Sequence, residues 1–264
     1  VSPFEILVVS LILTLAIALP FVYARLVTGG RKINRRPLPP IDLINSALAR
    51  AAETGQPIHV SPGSGSLDGS TINPETLAGL VLAQRITDIA ARRGAGISAS
   101  SGDPIAHLAL RGTVRRAYRD AGYSEDYRPE LIQMLAANDP IAFSVGLSNR
   151  VTSEPMEASI TVGSFEQGYL LFAEPGRANN ILQIAGTTDQ QALTAALLTA
   201  NGTLLGEEIY AAEAYIAPTP LGFARILTHD VLRSVIIGII IFGIILVSLG
   251  QLAILPQDFP LLPR

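Results

Sequence analysis

The sequence predicts an α/β protein: a Rossmann-like three-layer domain with a strand-rich edge or insertion, flanked by two transmembrane helices. Three observations carry that reading. Ile6–Ala24 and Val235–Leu255 each run without a charged residue. Between them, short apolar stretches and amphipathic ones follow the order strand, loop, helix, strand, helix. The chain is also too apolar for an ordinary soluble domain, with 48% hydrophobic residues, 16% charged and a mean hydropathy of +0.38, and the excess sits at the two ends.

At 1.5 Å per residue, each uncharged segment reaches across a hydrocarbon layer of about 30 Å. Glu5 precedes the first segment and the basic residues follow it, the reverse of a secretory signal, so a retained anchor is expected. In the second, Gly243 and Gly250 share a helix face and Gly238 adds a small site, the pattern that lets another membrane helix approach closely, and equally one explained by the general frequency of glycine in membrane helices. Arg25, Arg31, Lys32, Arg35 and Arg36 follow the first segment, and Arg225 and Arg233 precede the second. The positive-inside tendency therefore places the central domain in the cytoplasm, with both termini outside an inner (cytoplasmic) membrane. The expected organisation is an anchor over 1–24, a basic, proline-containing connector with a juxtamembrane helix over 25–56, and an α/β domain over 57–217. A connector over 218–234, an anchor over 235–255 and a short outer tail over 256–264 complete it.

Within the central domain, Arg36–Pro40 reads as a stiff extended connector because three prolines disfavour helix, and Asp42–Glu53 as an amphipathic helix ending at Gly55. Pro57–Ser61 reads as a strand entering the loop Gly63-Ser64-Gly65-Ser66-Leu67-Asp68-Gly69-Ser70-Thr71. Asn73 and Pro74 open the next helix, and Arg92-Arg93-Gly94 closes it. Gly96–Ser101 is a second strand, and Asp103-Pro104 starts a helix that ends near Gly122. Ile141–Val145, Ala158–Val162, Gly168–Ala173 and Ile181–Ala185 are strand candidates. Thr188 with Gln191 forms a capping box for a helix running toward Asn201-Gly202, and Leu204–Ile216 is a last amphipathic stretch.

Composition removes several chemistries. The chain has no cysteine, which excludes disulfides, thiolate catalysis and thiolate metal sites. A net charge of -3 gives no basic field for nucleic acid. His59, His107 and His229 stand apart with no metal-ligand spacing, so no metal and no cofactor is expected.

Two junctions attract attention. Gly63, Ser64, Gly65, Ser66 and Gly69 follow a strand and precede a helix, where open α/β sheets bind ligands, and Ser70 and Thr71 add hydroxyls for a phosphate. The spacing is neither the dinucleotide fingerprint nor a P-loop. A flexible surface loop is the better-supported reading of it. Ser101 and Asp103 form the neighbouring junction, where Asp103 also serves as an ordinary helix cap. Arg111, Arg115 and Arg119, with Arg116 beside them, make a basic stripe suited to a phosphate, acidic lipid or a partner surface, or simply to solvent.

The N-terminal anchor, the Arg/Pro connector, the segment Pro57–Ile72 (PIHVSPGSGSLDGSTI) and the C-terminal anchor together resemble an uncharacterised family of prokaryotic membrane proteins with a domain of unknown function. The resemblance covers most of the chain. It implies membrane placement and supplies no activity or ligand. The expected function is a membrane-anchored structural or accessory protein that assembles with itself or with a larger complex in the bilayer. A sensor binding a nucleotide or other phosphorylated ligand at the Gly63–Gly69 loop is the alternative, and a hydrolase using Ser64 or Ser66 is the third reading.

Overall fold

The computed structural model describes residues 3–29, 36–69, 72–137 and 139–251. The first part of the chain forms α1 (Pro3–Thr28), α2 (Pro39–Thr54), β1 (Ile58–Gly63), α3 (Pro74–Arg92), β2 (Ile97–Ser101) and α4 (Pro104–Asp120). Next come β3 (Ile132–Met134), α5 (Pro140–Ser153), β4 (Ala158–Ser164), α6 (Tyr169–Ala178) and β5 (Leu182–Thr187). Then follow α7 (Gln190–Thr199), β6 (Gly202–Leu205), α8 (Glu208–Ile216) and α9 (Pro220–Gln251). The chain divides into two compact units, residues 36–218 and residues 1–35 with 219–264.

In the second of these units α1 packs along α9. Both helices are long and apolar enough to cross a membrane, over Val8–Thr28 and Pro220–Ile245. Helix α9 begins well before the uncharged segment, so the stretch expected as a connector is helical. Residues 252–255 of that segment, the tail after them, and Arg31, Lys32 and Arg35 lie outside the described residues.

In the 36–218 unit all six strands are parallel, in the order β3-β2-β1-β4-β5-β6. The chain builds outward from β1 in one direction, then crosses back through α5 to start β4 on the other side of β1. This is the doubly wound Rossmann order, and its switch point lies between β1 and β4.

The two sheet faces differ in chemistry. On one, Ile58, Val60, Ile97, Ile160, Val162 and Ile184 pack with Ile44, Leu48, Leu82, Ile86, Leu110 and Ile209 of the covering helices. Each such buried side chain contributes about 1.5–3 kcal/mol. The other face is buried but polar: His59, Ser98, Ser100, Ser159, Thr161 and Gln183 are all less than 5% exposed. Central parallel strands are usually apolar on both sides. Here hydrogen bonds compensate. The His59 ring bonds Ser159 Oγ at 3.0 Å through Nδ1 and Ser100 Oγ at 2.8 Å through Nε2. The Arg150 guanidinium, 2% exposed, donates to the Ala99 and Leu131 carbonyls, both at 2.7 Å, to Ser98 Oγ at 3.0 Å and to Glu154 at 2.7 Å. Outside this layer the aromatic rings of Phe143, Phe165, Tyr169 and Phe172 close the core under α5 and α6.

Several expectations change. Ile141–Val145 lies in α5, where Asp139 caps the first turn through the Ile141 and Ala142 N–H groups and Pro140 occupies the first position. Its buried positions, Phe143, Leu147, Arg150 and Val151, have helical spacing. Of the stretch Gly168–Ala173, residues from Tyr169 on likewise belong to α6, with Gly168 at its N-cap, and the helix buries Tyr169, Phe172, Ala173 and Gly176. A short apolar stretch fits either period, and the strand-rich segment expected there resolves into regular strand–helix alternation. The edge strands β3 and β6, three and four residues long, carry too little pattern to stand out. Pro39 and Pro40 open α2 rather than extending the connector, since proline suits a first turn that needs no N–H. Asp189, not Thr188, caps α7, accepting from Ala192 N at 2.8 Å.

Candidate functional site

Open α/β sheets bind ligands outside the carboxyl ends of the strands at the switch point, which here falls between the ends of β1 and β4. Gly63 ends β1 with φ +87°, and a Cβ on it would sit 2.0 Å from the Ser164 carbonyl oxygen. Only glycine tolerates both conditions. Ser64 N donates to Ser164 O at 2.9 Å, and Gly102 N donates to Gly63 O at 3.0 Å. The ends of β1, β2 and β4 are thereby held together. Gly79 of α3 serves close packing: a Cβ there would lie 1.9 Å from the Val162 carbonyl oxygen.

The loop after β1 folds toward β2. Leu67 N donates to Asp103 Oδ2 at 3.2 Å, while Asp103 Oδ1 caps α4 through Ala106 N at 2.8 Å. Asp103 is 1% exposed, so one buried carboxylate fixes both the helix start and the loop. At the end of the loop, Asn73 Oδ1 accepts from Glu75 N at 2.9 Å and Thr76 N at 3.1 Å, and Asn73 N donates to Ser66 O. Glu75 reaches from the first turn of α3 to the β5–α7 junction. It accepts from Thr187 Oγ1 at 3.0 Å, from Thr188 N at 3.2 Å and from the Thr188 hydroxyl.

These contacts decide what the junction offers a ligand. The first-turn N–H groups of α3 are engaged by Asn73, and Ala106 N of α4 is engaged by Asp103, so the cradle that a phosphate uses at a helix N-terminus is already satisfied internally. The strand-to-helix junctions at this edge contain no lysine or arginine. Two hydroxyls stand apart: Ser64 Oγ and Thr76 Oγ1 are buried with no hydrogen-bond partner among the described residues. An Asp103→Ala variant is expected to lose about 1–2 kcal/mol with the cap and to release Leu67. Limited proteolysis should then cut within 64–69 faster than in the wild type; unchanged cleavage would show that Asp103 does not hold the loop.

Among the sequence candidates, the fold gathers Gly63, Ser64, Gly65, Ser66, Ser101 and Asp103 at this edge. Gly69 is exposed, and a Cβ added there would meet nothing within 4 Å. Ser70 and Thr71 lie outside the described residues. Neither Ser64 nor Ser66 bonds a histidine among the described residues, because both His59 ring nitrogens are taken by Ser100 and Ser159. Arg111, Arg115 and Arg119 lie on the exposed side of α4. Arg116 pairs with Asp88 at 3.3 Å across to α3. Thr76, Glu75, Thr187 and Thr188 join the site from positions whose sequence signal is that of ordinary helix starts. Only the strand order reveals that these starts are neighbours.

No curated protein and no solved structure matches the chain. A family model described as a domain of unknown function, DUF6754, matches residues 1–257. That match spans both apolar helices and the whole Rossmann-like sheet, so the chain belongs to the DUF6754 family.

Proposed function

We propose that this protein is a membrane-anchored accessory subunit that works by assembly, with itself or within a larger membrane complex, through the glycine-bearing surface of α9. One observation supports the reading. Helix α1 packs along α9, yet a methyl group added at Gly238 or Gly243 would meet nothing within 4 Å among the described residues. Their small size is therefore not needed for the α1 contact. In lipid, small residues matter where another backbone approaches closely. The internally satisfied strand-to-helix junctions fit a scaffold better than a nucleotide sensor.

In this reading the 36–218 unit is cytoplasmic and both termini lie outside, as the basic residues beside the spans favour. A chain without cysteine suits a direct test, since a single Ala52→Cys at an exposed position reports sidedness alone. Labelling by an impermeant maleimide should require permeabilised or inverted membranes. For assembly, native mass spectrometry of detergent-extracted protein should show an oligomer or a copurifying partner, lost on Gly243→Leu. A wild-type protein that runs as a lone monomer overturns the reading.

A further inference from the structure

The two helical layers of the 36–218 unit differ at their outer surfaces. Helices α3 and α4 expose Arg92, Arg111, Arg115, Arg119 and Asp120, as a solvated layer should. Leu77, Ile105 and Leu108 are exposed there too, but on helices that also carry those charges. On the other side of the sheet α5, α6 and α7 lie side by side. Their outer positions hold Ile141, Val145, Leu170, Leu171, Leu197 and Leu198, from 46% exposed at Leu171 to 72% at Leu198. Glu174 and Arg177 are the only charged residues at the exposed positions of these three helices. The same helices bury Phe143, Leu147, Phe172, Ala192 and Ala196, so the outer apolar residues cannot reach that core. A helix apolar on both sides is one that is covered on both. The layer is also tied together at one end. Asn179 Nδ2, just past α6, donates to the Val151 carbonyl of α5 at 3.5 Å, and Arg177 Nη1 donates to the Leu198 carbonyl of α7 at 3.4 Å.

We infer that the outer face of α5, α6 and α7 is the surface on which a second copy of this chain docks. The area is of the right order. Six side chains about half exposed leave roughly 600 Å² of apolar surface, the top of the range for the largest patch on a monomer. With the uncharged residues between them, Ala142, Thr194 and Ala178 among these, the face approaches the about 800 Å² that each partner brings to a stable interface. Charge then chooses the occupant. A phosphate-bearing or anionic-lipid partner would find a single cation here, and a basic segment a single anion. One carboxylate and one guanidinium, a turn apart on α6, leave the face neutral, so two copies meet without net repulsion. A neutral apolar face is compatible with itself, as an isologous contact requires. The inference rests on the assembly reading above; it names the partner as a second copy and adds a surface outside α9. Joining through α9 raises the local concentration of the 36–218 units, so this face does not have to hold the copies together unaided.

The test uses the full-length protein in native membranes. Because the chain has no cysteine, Val145→Cys, Leu171→Cys and Leu198→Cys variants, expressed singly and in pairs, can be treated with a short bismaleimide. At least one should give a product of twice the chain mass of 27.9 kDa, and Arg115→Cys on α4 should give none. Ile141→Glu combined with Leu170→Glu, added to the cross-linking variant, should lower the yield at least about tenfold, because it sets carboxylates against their own copies. The far-UV circular dichroism of that variant should match the wild type, since both substitutions are at exposed positions. No cross-link from any position on the face, an equal yield from Arg115→Cys, an unchanged yield with the two glutamates, or a product with a different protein overturns the proposal. Native mass spectrometry keeps the two readings apart. An oligomer that shows no cross-link on this face overturns the α5–α7 contact alone, and a lone monomer overturns both.

Discussion

Arg150→Ala is expected to destabilise the Rossmann-like unit by about 3–5 kcal/mol, the range for breaking one side of a buried charged network. The guanidinium joins α5 to the carbonyls of Ala99 in β2 and Leu131 just before β3, and to Ser98 and Glu154. Truncation removes the arginine donor from the buried Ala99 carbonyl and Ser98 hydroxyl and from the half-buried Leu131 carbonyl, and a buried polar group left unsatisfied costs about 1–3 kcal/mol. Arg150→Lys should rescue little, because one ammonium cannot reproduce a planar fork reaching several acceptors. The matched control is Arg111→Ala on the exposed side of α4, expected to stay within about 0.5 kcal/mol of wild type. Urea denaturation followed by far-UV circular dichroism separates the two, and the absence of tryptophan makes intrinsic tryptophan fluorescence unusable. Equal midpoints for the two variants would show that the buried arginine is dispensable.

The second large effect is acid sensitivity centred on His59. Its ring is fully buried between Ser100 and Ser159. Burial first, and the Arg150 charge second, push the imidazole from 6.5 down to about 3. The unfolded chain takes up this proton near pH 6.5, whereas the folded chain resists it until about pH 3. Between those values the unfolded state holds more protons, so stability falls as pH falls, by up to about 1.4 kcal/mol per pH unit. Above pH 6.5 this group adds no slope. His107, held below its usual value by burial and then by Arg111, adds slope of the same sign. His59→Gln, which keeps polar atoms but cannot titrate, should flatten the acid limb of a stability-against-pH curve. An equally steep limb in that variant would assign the acid sensitivity to other groups.

The elements legible in the sequence were those with strong local chemistry. Asn73-Pro74 and Asp103-Pro104 announce helix starts because cap and proline act within one turn, and β1, β2, β4 and β5 show their apolar runs. Residues 141–145 and 168–173 were not legible, since five or six apolar residues suit a strand or a buried helix equally. His59, Ser98, Ser100 and Ser159 form a polar sheet face that is nevertheless buried. Helices α5 and α6 cover it, and only long-range bonding shows how those groups are satisfied. The candidate loop was visible through its glycines, whereas Glu75 and Thr188, 113 residues apart, meet only because β5 lies two strands from β1.

By itself the sequence determined the α/β class, the two uncharged segments, the helix caps and the glycine loop, because propensity, capping and hydropathy act over a few residues. Tertiary structure decided the β3-β2-β1-β4-β5-β6 order, the burial of a polar sheet face and the use of Asp103 and Asn73 as internal clasps. It also decided which hydroxyls at the loop stand without partners. Those features depend on contacts between residues distant in the chain, whose energies exist only once the sheet has assembled.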